Sequence, residues 1–232
     1  MEAVGMILCG GYGKRLFPLT RTLPKVLLEL REGYTILDHQ LSLYRRAGIR
    51  EVYLLAGYRA EEIRKRYGAS WEGMELRYVV EKEPLGTLNA IRLGMREAGR
   101  EAVVSNGDVV MELDMGKMWE DFRRSKALAS LLAVRMRSPY GVLKLRGRRI
   151  VSFVEKPLLP HYVNGGVYCL SPLLLPLMER FGKGNVEQTL FPELARRGKL
   201  RCYRADPPLW VPVDTFKDLE EARKRLEGLR RA

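Results

Sequence analysis

Cysteine and histidine are scarce in this chain. Its three cysteines, Cys9, Cys169 and Cys202, are odd in number, far apart and form no C-x-x-C pair. That excludes a disulfide framework and a zinc site built on cysteine pairs, and leaves small core hydrophobes in a reducing cytoplasm as the reading. The two histidines, His39 and His161, sit in no catalytic motif, so nothing here activates a serine or cysteine nucleophile. No apolar run reaches the ~20 residues that span a bilayer, and no charged-then-apolar leader opens the sequence. Neither a membrane nor a secretory route is therefore expected, and a cytoplasmic location is. Repeats, low-complexity stretches and breaks in composition are absent too, and one domain over residues 1–232 is the expectation. Acids are outnumbered, with 28 Asp and Glu against 41 Lys and Arg for a net charge of +13. These cations are spread over probable amphipathic helices such as "AEEIRKRYG" rather than gathered in a basic arm, which disfavours nucleic acid as the partner.

What is present is an alternation of two periods. "AVGMILC", "EVYLLAG", "ELRYVVE" and "AVVSNGD" are strand-like runs, several of them apolar enough to be buried on both sheet faces. Between them, "TILDHQLSLYRRAG", "AEEIRKRYG" and "TLNAIRLGMREAG" carry helical spacing, the first with Thr35 as N-cap. After a helix at "DMGKMWEDFRRSK" the strands crowd together, in "ASLLAVRM", "YGVLKL", "RIVSFVE" and "VNGGVYCL". Helices at "SPLLLPLMERF" and "NVEQTLFPELARRG", strands at "LRCYRA" and "LWVPV", and a last helix complete the pattern. A βαβαβ half followed by a more antiparallel half predicts a three-layer α/β fold with a mixed, mainly parallel central sheet.

In such sheets ligands bind beyond the carboxyl ends of the strands, so the polar turns there come next. The first, "CGGYGKR", combines glycines, which let backbone N–H groups approach a ligand, with Lys14 and Arg15, which suit a polyanion. It is not a dinucleotide fingerprint, since Gly11 and Gly13 are followed by Leu16 where a third glycine belongs. Nor is it a Walker A loop, because Arg15 stands where Ser or Thr follows Gly-Lys.

Continued through "LFPLTRTLPKVLLEL", the loop resembles the opening of the sugar-1-phosphate nucleotidyltransferases, also called nucleotide-sugar pyrophosphorylases. "EKEPLGT" (81–87) is similar to that family's base-binding turn, and "NGD" (106–108) to its metal-binding strand end. "YGVLKL" (140–145) and "FVEKP" (153–157) match its sugar-phosphate elements, and "VNGGVYCLSP" and "LWVPVDTFKD" its closing motifs. The motifs run in family order from about residue 5 to about residue 220. They are most similar to the mannose-1-phosphate and heptose-1-phosphate guanylyltransferases, while Trp210-Val211-Pro212-Val213-Asp214-Thr215 is nearer the W-x-x-M-D-T form of glucose-1-phosphate cytidylyltransferases.

The resemblance implies a Rossmann-like nucleotidyltransferase fold and a reaction in which a sugar 1-phosphate attacks a nucleoside triphosphate, giving nucleotide-sugar and pyrophosphate. It assigns Arg15 to the triphosphate, Lys25 to the α-phosphate and Lys156 to the sugar phosphate, with Asp108 and Asp214 holding Mg²⁺. The nucleotide side would comprise Leu8, Gly10, Gly11, Gly13, Glu81, Gly86, Asn89 and Asn106. The sugar side would comprise Gly141, Glu155, Lys156, Asn164 and Gly165. Glu81 stands where thymidylyl-transferring relatives tend to have glutamine. As a pure acceptor it suits the adjacent N1–H and N2 amino donors of guanine, so GTP is expected first, CTP second, and UTP or dTTP after them. Leu88 and Asn89 replace the small residues many relatives carry there. The hexapeptide repeats of a carboxyl-terminal β-helix are absent from the sequence, and a homodimer is one assembly the resemblance allows. Two readings from other classes stand beside the enzyme: a catalytically silent regulatory subunit, which should have lost some of Arg15, Lys25, Asp108 or Lys156, and a basic nucleic-acid-binding protein.

Overall fold

Strands with period two and helices with period 3.6 alternate in this computed structural model, which describes residues 2–81 and 83–231. In chain order the elements are β1 (Val4–Leu8), β2 (Glu29–Arg31), β3 (Tyr34–Thr35), α1 (Ile36–Arg46), β4 (Glu51–Ala56), α2 (Ala60–Tyr67), β5 (Ser70–Trp71), β6 (Met74–Val80), α3 (Thr87–Ala98), β7 (Ala102–Asn106) and β8 (Val109–Met111). There follow α4 (Met115–Arg124), β9 (Ala129–Arg137), β10 (Val142–Arg146), β11 (Arg149–Val154), β12 (Leu158–Leu170), α5 (Leu175–Phe181), α6 (Leu190–Arg196), β13 (Leu200–Arg204), β14 (Trp210–Pro212) and α7 (Phe216–Arg231).

Among the described residues, eight strands form one sheet in the order β13-β9-β12-β7-β1-β4-β6-β5. The run β7-β1-β4-β6 is parallel throughout, and β12 enters antiparallel between β7 and β9. This is the mixed, mainly parallel sheet expected from the alternation of periods.

Alternation along each strand builds two cores. Val4 and Met6 of β1 pack with Tyr53, Leu55 and Val104 beneath Leu88, Ile91 and Met95 of α3 and the apolar residues of α5 and α6. Ile7, Val52, Leu54 and Val103 face the other way, against Leu37, Leu41 and Tyr44 of α1, Ile63 of α2 and Phe122 of α4. Three layers follow directly. Each fully buried Leu or Ile contributes about 1.5–3 kcal/mol relative to exposure. A third cluster seats Leu219, Ala222 and Leu226 of α7 on Leu28, Leu30, Val110 and Val211.

Caps set where helices begin. Thr35 and Asp38 form a reciprocal capping box at the start of α1, with Thr35 Oγ1 accepting from the Asp38 N–H at 3.1 Å and Asp38 Oδ2 accepting from the Thr35 N–H at 2.8 Å. The second half departs from its simple sequence pattern in two places. "SPLLLPLMERF" divides into a 3₁₀ turn at Pro172–Leu174 and α5, since Pro176 lacks an N–H and is accommodated only in a first helical turn. "NVEQTLFPELARRG" is helical only from Leu190. Residues 185–189 turn instead, because the Val186 N–H is drawn to Thr87 Oγ1 at 3.0 Å. The antiparallel ribbon β10–β11 is exposed along its length.

Candidate active site

Leu8, Ala56, Val80 and Asn106 end the four parallel strands on one edge of the sheet. A cleft of about 310 Å³ opens there, within the range of small-molecule sites. Six of the eight residues assigned to the nucleotide line it, namely Leu8, Gly10, Gly11, Glu81, Gly86 and Asn106. Gly86 caps α3 at φ 95°, and a Cβ there would lie 2.4 Å from the Gly184 carbonyl oxygen; both the dihedral and the contact require glycine. Gly13 lies outside the lining. Its φ of 58° starts the 3₁₀ turn that carries Arg15, and its carbonyl accepts from Thr20 Oγ1 at 2.8 Å. Asn89 does not line the cleft either. It is buried behind Glu81, to whose Oε1 its Nδ2 donates at 2.5 Å.

The two aspartates are 106 positions apart in sequence, and a short ladder brings them together. β8 follows Asp108 and pairs antiparallel with β14, which precedes Asp214, in the register Val109↔Pro212. The Val213 N–H donates to the Asp108 carbonyl at 2.9 Å, closing the end of the ladder. Asp218 then pins the next turn: its Oδ2 accepts from the Asp214 and Thr215 N–H groups at 3.1 and 2.7 Å. Thr215-x-x-Asp218 is thus a second capping arrangement like Thr35-x-x-Asp38, a spacing readable in the sequence but not used there.

Lys25 completes the cluster. Its Nζ donates to Asp108 Oδ2 at 2.9 Å and to Asp214 Oδ1 at 3.1 Å, and its side chain is only 11% exposed. Arg15 stands on the outer side, its Nη1 3.5 Å from Asp214 Oδ2 with the side chain 76% exposed. Four of the five residues assigned to catalysis therefore meet at one point. The fifth, Lys156, lies at the end of the β10–β11 ribbon with φ 46°, a left-handed conformation unusual for lysine. It lines a second groove, of about 990 Å³, together with Arg137, Lys217 and Asp214. Asp108 faces the first cleft and Asp214 the second. Lys25 joins the two.

The remaining sugar-side residues line neither cleft. A Cβ on Gly141 would sit 3.0 Å from Glu155 Oε2, so those two adjoin each other. The Gly165 carbonyl accepts from Trp210 Nε1 at 3.0 Å. Asn164 Nδ2 donates to the Tyr168 hydroxyl at 3.0 Å. That hydroxyl has Asn106 Oδ1 and Glu187 Oε1 as acceptors, each at 3.3 Å. Burial first, and the Glu187 carboxylate after it, push the Tyr168 phenol well above its ordinary pKa, so it keeps its proton. Tyr168, inside the motif "VNGGVYCLSP" but not singled out there, joins Asn106 on the nucleotide side to Asn164 on the sugar side. Tyr168→Phe leaves these partners unpaired and is expected to lose about 1–3 kcal/mol of stability, with KM rising for both substrates. Denaturant midpoints and a two-substrate kinetic series check this.

Two groups prove structural. Burial lowers the His39 pKa despite the Met111 carbonyl and Glu112 beside it; the neutral ring places Nε2 2.8 Å from that carbonyl. Burial raises the Cys9 thiol far above its usual range and leaves it unreactive.

The two carboxylates also suit a divalent cation. Both already face one positive centre, the Lys25 ammonium, and each is about half exposed. Among the described residues no group of three or more Asp, Glu, His or Cys converges. Mg²⁺ is commonly held this way, by one or two carboxylates with phosphate and water oxygens completing the octahedron.

A family model described as nucleotidyl transferase matches residues 4–228. Curated relatives include the mannose-1-phosphate guanyltransferases of Yarrowia lipolytica, 34% identical over 226 residues, and Saccharomyces cerevisiae, 31% identical over 227. The alignments cover 92% of this chain and 61–62% of those proteins, so the chain spans about three-fifths of their length. Among solved structures, one from Bacillus anthracis described as a glucose-1-phosphate thymidylyltransferase superposes with a TM-score of 0.78 at 23% identity, covering 96% of this chain and 94% of that one. A UDP-glucose pyrophosphorylase complexed with UDP-glucose gives 0.77 at 18%, covering 98% and 99%. At those identities the two structures speak for the fold.

Proposed function

The chain belongs to the nucleotidyl transferase family, and we propose that it transfers a nucleotidyl group from GTP to mannose 1-phosphate or a similar hexose or heptose 1-phosphate. The observation that carries this reading is Lys25 held between Asp108 and Asp214 where two clefts meet. The names of the curated relatives support the choice of base and sugar.

In the proposed reaction an oxygen of the sugar phosphate attacks the α-phosphorus, the bond from that phosphorus to the bridging oxygen breaks, and pyrophosphate leaves with the electron pair. A phosphate monoester has a second pKa of about 6, so its nucleophilic oxygen is already ionised near neutrality and no general base is needed. The protein's work is to hold two polyanions in line and offset their charge. Lys25 reaches the α-phosphate from the floor, and Arg15, exposed and loosely paired, closes on the β- and γ-phosphates. Lys156 and Arg137 receive the sugar phosphate in the second groove. Asp108 and Asp214 would hold a divalent cation, Mg²⁺ in this proposal, which supplies Lewis-acid neutralisation of phosphate charge when bound. A cytoplasmic location, expected from the cysteines, belongs to the same proposal. No helix of the described residues is long and apolar enough to cross a membrane.

A panel of GTP, CTP, UTP, dTTP and ATP against several sugar 1-phosphates tests the reading, with pyrophosphate release as the signal. GTP with mannose 1-phosphate is expected to give the highest kcat/KM, and Glu81→Gln to reduce the preference for GTP at least tenfold by placing a donor opposite guanine's donors. A CTP preference would side with the "WVPVDT" motif instead. A preference for UTP or dTTP that survives Glu81→Gln would show that Glu81 does not read the base.

A further inference from the structure

Behind Glu81 lies a short chain of polar groups that the proposed mechanism does not use. Asn89, in the first turn of α3 and 4% exposed, donates from Nδ2 to Glu81 Oε1 at 2.5 Å. Its other end, Oδ1, accepts from Nη2 of Arg92 one turn further on. Arginine can only donate, so the amide oxygen must face Arg92 and the amide NH₂ must face the carboxylate. The Asn89 N–H is bonded to the Gly86 carbonyl at 3.1 Å, which fixes the side chain's root at the cleft wall. Among the described residues the buried Arg92 Nε has no hydrogen-bond partner, and Nη2 donates to Asn89 Oδ1.

We propose that Asn89 is a positioning residue for base selection. It tethers one oxygen of Glu81 so that the carboxylate stands fixed in the nucleotide cleft, and Arg92 orients the Asn89 amide for that task. An untethered glutamate at the end of a strand has three rotatable bonds and open water beside it, and ordering it must be repeated at each binding event. A neutral amide holds the carboxylate without cancelling its charge, leaving it an acceptor. Asn89 touches no base in this arrangement; it acts through Glu81. The proposal rests on the reading of Glu81 as the residue that meets the base.

The test is a double-mutant cycle on base preference at a fixed sugar 1-phosphate. kcat/KM for the five nucleoside triphosphates is measured for the wild type, Asn89→Ala, Glu81→Gln and the double variant. Asn89→Ala is expected to compress the preference for the favoured base about tenfold, and the double variant to be no less selective than Glu81→Gln alone. Equal losses for all five triphosphates, or additive effects of the two substitutions, overturn the positioning role. Should the wild type favour a base other than guanine, the guanine reading fails, and the same cycle run on the favoured base still decides Asn89. If Asn89→Ala does not fold, Arg92→Met carries the test, with a selectivity loss in the same direction expected and an unchanged ranking overturning the tether.

Discussion

Lys25→Met is expected to lower kcat by about 10³ while leaving the protein folded. Removing one preorganised donor from a site of developing charge typically costs about 10²–10³ in rate. Lys25 should stand at the upper end, because it is the most enclosed cation of the cluster and touches both carboxylates. Methionine keeps an aliphatic stem and removes the ammonium with its two hydrogen bonds. The two aspartates are about half exposed, and ion pairs to such groups contribute no more than about 1 kcal/mol to stability. The melting temperature should therefore fall by less than about 4 °C. Steady-state pyrophosphate release and a thermal scan separate the two effects. Wild-type turnover in Lys25→Met would remove this lysine from the chemistry. Loss of folding would mean that its main work is to keep Asp108 and Asp214 apart.

The same geometry explains why so little conventional catalytic apparatus is present. In the proposed reaction the nucleophile arrives ionised and the leaving group needs no proton, so a buried neutral His39 and an unreactive Cys9 would cost it nothing. What the fold must supply is a place where cations and carboxylates meet at the ends of parallel strands. Lys25 comes from a turn after β1, Asp108 from the end of β7 and Asp214 from the far side of the β8–β14 ladder. No one of these segments forms the site alone. The sheet edge and the β8–β14 ladder together place them at one point.

The strands of the parallel half were legible because burial on both faces leaves few polar residues, and the glycine turns after them mark where a ligand could lie. The cleft residues Leu8, Gly10, Gly11 and Asn106 follow from that rule and from the family motifs together. Asp214 could be named only by its spacing from Trp210; the ladder register that sets it beside Asp108 is a tertiary fact with no local signal. Asn89 lies one step behind the cleft wall. Its motif position reads as part of the nucleotide set, and the helix turn points its amide at Glu81 Oε1, a facing that motif spacing does not show. Tyr168 sits inside the motif "VNGGVYCLSP" and Glu187 in none, but their contacts arise from β12 lying against β7 and from the 185–189 turn being held by Thr87, which no local pattern shows. The shortened α6 has the same cause, a hydrogen bond across the cleft outweighing a helical pattern.

Chelation should abolish activity, and the loss should be read together with Asp108→Asn and Asp214→Asn. Two carboxylates, with no third acidic, histidine or cysteine ligand converging on them among the described residues, give the cation little to hold it without substrate, so excess EDTA is expected to cut turnover by at least about 10³ and added Mg²⁺ to restore it. Each Asn variant keeps the shape of the ladder end and removes one negative charge. Each is expected to lose about 10²–10³ in kcat at ordinary Mg²⁺, with the double variant little worse than either single one, because groups that act as a unit are not additive. The Mg²⁺ concentration for half-maximal rate should rise in both single variants, which separates a ligand from a residue that merely orients Lys25. Asp108→Asn also weakens the Lys25 pair from an ion pair to a hydrogen bond with a neutral amide, so a variant that lost turnover with an unshifted Mg²⁺ dependence would assign Asp108 to holding the lysine. Full activity of the wild-type protein in excess EDTA would remove the cation from the mechanism and leave the phosphate charge to the side-chain cations alone.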